Sequence, residues 1–133
     1  MNVQGPAKAP CGSCPYRKDV PPGVWHNDEY LKLPAYDEET FNQPAAMFMC
    51  HQQNDRLCAG WVGCHDMTQS LSLRLGQLHR DIADDVFDYV SPVPLWSSGK
   101  QAAKHGMKPK DDKAERIVQK LLSRRNEPIL HEE

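Results

Sequence analysis

Five cysteines carry the reactive chemistry of this 133-residue chain. Cys11-Gly12-Ser13-Cys14 forms a CxxC pair, and Cys50, Cys58 and Cys64 follow; Cys50 and Cys64 each precede a histidine, His51 and His65. A CxxC spacing brings two sulfurs within reach of one ion, and two later cysteines complete a tetrahedral set. The same pair can also serve as a disulfide staple or a redox dithiol. An odd number of cysteines cannot all pair within one chain. In a reducing compartment, metal or redox chemistry is favoured over a structural disulfide.

A helix expected to start near Leu57 decides which thiols can cooperate. With Cys58 opening that helix, Cys64 lies six residues on, about 240° around the axis, so the two sulfurs face different points. His65 comes back near the Cys58 face. Four-cysteine ligation is therefore expected from Cys11, Cys14, Cys50 and Cys58. Cys64 is a buried spare, and Cys64, His51 and His65 are the substitute ligands. A helix N-terminus at Cys58 favours the thiolate that metals need.

The expected cofactor is one metal centre, a zinc ion or a 4Fe–4S cluster. Zinc is the usual partner of four cysteines. Pro15 argues the other way, because it lacks the N–H that zinc knuckles aim at a thiolate, and a cysteine–proline step is a feature of iron–sulfur ligation. A redox dithiol at Cys11 and Cys14 normally follows a strand and opens a helix, whereas Cys14 runs into Pro15-Tyr16-Arg17.

Hydrophobic residues make up 39% of the chain and there are eleven prolines, so the core is thin for a domain of this length and a metal staple would reinforce it. No run approaches the roughly 18 apolar residues of a membrane-crossing helix. Met1 to Pro6 carry no apolar leader, which predicts a cytoplasmic protein. A glycine-rich phosphate loop, a serine nucleophile elbow and an HExxH pair are all missing from the sequence, and no catalytic residue is assigned. Charge is uneven: residues 1–99 carry 7 basic and 12 acidic side chains, and residues 100–125 carry 9 and 3. Lys100, Lys104, Lys108, Lys110, Lys113, Arg116, Lys120, Arg124 and Arg125 supply the basic stretch, a candidate nucleic-acid surface without aromatic residues for base stacking.

The elements that must position these groups read as mainly α. The chain is expected to be a small single domain with an irregular, metal-stapled N-terminal half and at most one or two short strands. Residues 1–10 read as a flexible arm, 11–90 as the cysteine-bearing metal-binding domain, 91–125 as a helical extension and 126–133 as a frayed tail. A helix is expected from Asn27, its cap, to Leu33, ended by Pro34. Residues 35–45 read as irregular, and 46–50 as the best strand. Leu71, Leu75, Leu78 and Ile82 form an amphipathic stripe, with Val86, Phe87 and Val90 extending it or forming a second short helix. Ser97 or Ser98 caps a helix through His105. Asp112, three residues before Glu115, is the expected cap of the last helix, with Ala114, Ile117, Val118, Leu121 and Leu122 as one apolar face.

Residues 10–25, from Pro10-Cys11 to Gly23-Val24-Trp25, are followed by Cys50-His51 and Cys58-Ala59-Gly60-Trp61. As a set, they resemble an uncharacterised family of small cysteine-containing proteins of actinobacteria and their phages, over roughly residues 10–75. The resemblance implies Cys11, Cys14, Cys50 and Cys58 as ligands and brings no activity with it. The chain is also similar, more distantly, to the WhiB-like iron–sulfur regulators, which pair four cysteines with a Gly-Val-Trp turn. These features together lead to the expectation of a non-enzymatic regulator or protein-interaction adaptor, bacterial or phage-encoded, with a protein partner and no membrane association. The alternatives are a nucleic-acid-binding protein using residues 100–125, or a thiol redox protein using Cys11 and Cys14.

Overall fold

The computed structural model describes residues 4–50, 52, 56–78 and 84–125. It is mainly helical. The α-helices are α1 (Asn27–Leu31), α2 (Ala59–Cys64), α3 (Leu71–Leu78), α4 (Gly99–Gly106) and α5 (Asp112–Arg125), with short 3-10 turns between them. The expected strand at 46–50 is reduced to one antiparallel bridge, Met49 with Leu57. No longer ladder forms among the described residues.

The local chemistry explains the helix ends. His26, one residue before the expected cap, accepts from the Asp28 N–H through Nδ1 at 3.1 Å. Helix α1 stops at Leu31 rather than Leu33. Pro34 then sits in the first turn of a 3-10 segment, Leu33–Asp37, where a missing N–H costs nothing. Ser98 caps α4, accepting from Gln101 N at 3.1 Å. The cap of α5 is Asp111 rather than Asp112: its Oδ1 accepts from Ala114 N at 2.9 Å.

The predicted stripe on α3 is rotated. Leu73 is fully buried, Leu75 is 40% exposed, and Ile82 lies outside the described residues. The neighbouring serines explain the shift, because Ser70 and Ser72 are also buried and bond each other at 3.3 Å. A satisfied polar pair thus takes a core-facing position that a hydrophobicity pattern assigns to the surface. Val86 is buried within a 3-10 turn, Asp84–Asp88, while Val90 is 83% exposed.

The core gathers Tyr16, Tyr30, Leu33, Leu57, Trp61, Leu73 and Val86, with Ala102 and Ala103 of α4 packed into it. Helix α4 lies on α1 and on Leu33–Asp37. Gly99 and Gly106 allow that close approach, since a Cβ at either would overlap Leu33 O or the Tyr30 ring. A second, smaller cluster joins α5 to the loop before α1 through Ala114, Val20 and Val24, flanked by Trp25, Ile117 and Leu121. Residues 4–10, expected as a free arm, are tied down: Leu57 N donates to Gln4 O at 3.1 Å and the Tyr89 hydroxyl to Lys8 O at 3.0 Å. The expected tail, residues 126–133, lies outside the described residues.

Candidate metal centre

Two short backbone devices present the cysteines. The first is a tight turn, closed by Cys14 N donating to Cys11 O at 3.0 Å and followed by a second turn from Arg17 N to Cys14 O at 3.1 Å. Gly12 and Pro15 suit successive turns. The second is the Met49–Leu57 bridge, in which Cys50 N donates to Arg56 O at 2.9 Å and Cys58 N to Phe48 O at 3.0 Å. With side chains alternating along each paired segment, this register sends Cys50 and Cys58 to the same side. Cys58 then serves as the N-cap residue of α2, as the sequence expects.

The two devices meet sulfur to sulfur. Cys14 Sγ lies 3.7 Å from Cys58 Sγ, both buried. Cys11 and Cys50 are half-buried, and Cys50 is the neighbour that most raises the Cys11 thiol. The buried sulfur contact therefore crosses between the two segments. Among the described residues no three His, Cys, Asp or Glu side chains close tightly enough to enclose an ion.

Backbone N–H groups surround the sulfurs. Gln52 N donates to Cys50 Sγ at 3.4 Å. Ser13 backs Cys11, Tyr16 and Gly60 back Cys14, and Trp61 backs Cys58. Tyr16 supplies the donor that Pro15 cannot. The hydrogen bond from Cys58, helped by these amides against the cost of burial, holds the Cys14 thiol below its ordinary range. Burial first, and the bond to Cys14 second, push Cys58 well up. The bond to Cys50, followed by burial, raises Cys11.

Supporting residues beyond the cysteines fix this geometry. Trp25 Nε1 donates to Ser13 O at 2.7 Å, and Gln52 Nε2 to Ser13 Oγ at 2.8 Å, so Ser13 ties the first loop to the second segment. Gly60 lets α2 reach Cys14: a Cβ there would overlap Cys14 Sγ and come within 2.8 Å of Tyr16 Cβ. Behind the sulfurs, edge-on aromatic contacts run from Tyr16 to Phe48 at 5.9 Å, Phe48 to Tyr36 at 5.8 Å and Tyr36 to Trp61 at 5.4 Å. Only the Gly60-Trp61 step after Cys58 signals this wall in sequence; Ser13, Tyr16 and Gln52 become visible as supports once the chain is folded.

Of the substitute ligands, His65 has other partners and Cys64 lies beside it. His65 uses both ring nitrogens, Nε2 to Asp37 Oδ1 and Nδ1 to Trp61 O, each at 3.0 Å. Cys64 is half-buried beside it, its thiol pushed up to about 12 by burial and by the Asp37 charge. His51 lies outside the described residues. The Asp37 carboxylate also accepts from Gly99 N at 2.7 Å and Lys100 N at 2.8 Å. His65 and Asp37 therefore belong to the joint between α2 and the start of α4. His105 is half-buried and bonds Val20 O through Nε2 at 2.8 Å.

This arrangement spans nearly the whole length that a single family accounts for. The chain belongs to a family of unknown function, DUF6283, matched over residues 6–125. The family match takes in α4 and α5, beyond the 10–75 span on which the sequence resemblance rests. No curated protein and no solved structure matches the chain.

Proposed function

We propose that this member of the family is a small non-enzymatic regulator or adaptor of the bacterial cytoplasm, encoded by the cell or by a phage, its fold closed by one zinc ion on Cys11, Cys14, Cys50 and Cys58. The carrying observation is the buried contact between Cys14 and Cys58, 3.7 Å between sulfurs. That separation is the edge, about 3.8 Å, of a tetrahedron with metal–sulfur bonds of about 2.3 Å. In a 4Fe–4S cluster each thiolate takes its own iron and the sulfurs stand farther apart, so sulfur contact supports a single ion. The amides around all four sulfurs support thiolates, since an N–H donor stabilises the negative charge.

The non-enzymatic part of the reading rests on Cys64, His65 and Asp37. They resemble a nucleophile, base and carboxylate, but both His65 ring nitrogens are engaged by Trp61 O and Asp37, which leaves neither for the Cys64 thiol. The similarity to WhiB-like proteins supports regulation, though not their metal.

Elemental analysis and a visible spectrum of protein purified without oxygen test the proposal. The expected result is a colourless protein with one zinc per chain, lost in Cys14→Ser and retained in Cys64→Ser. A brown protein with broad absorption from sulfur-to-iron charge transfer would replace zinc with a cluster. Metal-free protein with unchanged folding would overturn the reading.

A further inference from the structure

Helix α5 divides its faces between packing and charge. Ile117 and Leu121 turn half-buried toward Val20, Val24 and Trp25. Lys113, Arg116 and Lys120 stand exposed alongside, about 4.5 and 6 Å apart along the axis at a rise of about 1.5 Å per residue. None of the three has an ion-pair partner among the described residues, whereas Lys110 is paired with Glu115 and Arg17 with Asp19.

Two adjoining cavities follow this edge. One, of about 180 Å³, is lined by Ile117, Leu121 and Lys120 and opens onto Gly12, Ser13 and Gln52 at the tip of the cysteine loop. The other, of about 280 Å³, shares Ile117 and Lys120 and adds Lys113, Arg116, Pro21 and Asp19. Each is smaller than the roughly 300–1,000 Å³ of small-molecule sites. They suit successive side chains of an extended segment.

The lining selects the occupant. An aliphatic floor between unpaired cations calls for carboxylates that flank an aliphatic side chain. A nucleic-acid backbone supplies charge but no aliphatic group, and no aromatic residue lines either cavity to stack a base. We infer that the groove between α5 and the Cys11–Cys14 loop docks an acidic protein segment carrying a leucine- or isoleucine-sized residue between its acids. This names the partner class of the adaptor proposed above and rests on that reading. Since Ser13 and Gln52 are both groove wall and cysteine-loop support, the metal centre holds one side of the docking surface in place.

Selection from a displayed random twelve-residue peptide library on the zinc-loaded full chain tests this. Enriched peptides are expected to place acidic residues on both sides of an aliphatic one. The triple variant Lys113→Glu, Arg116→Glu, Lys120→Glu is expected to bind them at least tenfold more weakly, with zinc content and helical circular dichroism unchanged. Leu121→Ser, the second variant, is expected to weaken the same peptides. Three results would overturn the inference: no enrichment, enriched peptides without acids, or affinity indifferent to the charge reversal. Tighter binding of single-stranded DNA than of any selected peptide, lost in the triple variant, would assign the groove to nucleic acid instead. Zinc measured on the same samples separates failure of the groove from failure of the metal centre.

Discussion

Replacing Gly60 with alanine places one methyl group where helix α2 touches the cysteine loop. The new Cβ would overlap Cys14 Sγ and sit 2.8 Å from Tyr16 Cβ, and both neighbours are buried, at 1% and 0% exposure. Neither can swing into solvent, so the clash falls at the upper end of the overpacking range, about 3 kcal/mol. Helix propensity works in the other direction, since alanine is favoured over glycine inside a helix by about 1 kcal/mol. The net loss is about 2 kcal/mol, roughly thirtyfold in the folding equilibrium and about 7 °C in midpoint for a chain of this size. Displacing Cys14 should also weaken zinc binding by about tenfold to hundredfold, the range found when the support of a ligand is disturbed. Thermal unfolding by circular dichroism and competition with a chromogenic chelator read the two effects. Gly12→Ala is the control, because a Cβ there meets nothing within 4 Å. A Gly60→Ala protein with unchanged midpoint and unchanged zinc affinity would refute the packing argument and the assignment of Cys14 together.

Three further outcomes are expected. Leu73→Ala should cost about 2–5 kcal/mol, as a buried leucine does, and Leu75→Ala under about 1 kcal/mol; equal losses in denaturant titration would return α3 to the rotation that hydrophobicity predicts. Asp37→Ala removes the acceptor for Gly99 N, Lys100 N and His65 Nε2 and should cost about 2 kcal/mol, with Asp37→Asn milder; an unchanged midpoint for Asp37→Ala would remove this joint from the account of stability. Oxidation of metal-free protein with diamide should join Cys14 to Cys58 and Cys11 to Cys50, read by peptide mass mapping. A Cys11–Cys14 disulfide as the main product would restore the CxxC dithiol reading.

Several features were legible from sequence because they depend on local chemistry. The mainly helical class, a serine cap at 97 or 98 for α4 and the opening of α2 at Cys58 all follow from spacing and capping within a few residues. Where two local signals competed, the boundary moved by a residue or two, as at His26 and Asp111. The α3 register was not legible, since the buried Ser70–Ser72 pair satisfies its hydroxyls internally and so occupies a face that hydrophobicity gives to leucine.

The sequence by itself determined which atoms could do chemistry: a CxxC turn, three later thiols and a basic last helix. Tertiary structure decided how they are grouped. It joined Cys14 to Cys58 across 44 residues, and it turned His65 toward Asp37. It also laid α5 along the loop that carries the first two cysteines. These partnerships are non-local, set by where a short bridge at Met49–Leu57 and a glycine at position 60 allow two backbones to approach. No periodicity within either segment carries that information, because the contact exists only after both have been packed against Tyr16 and Trp61.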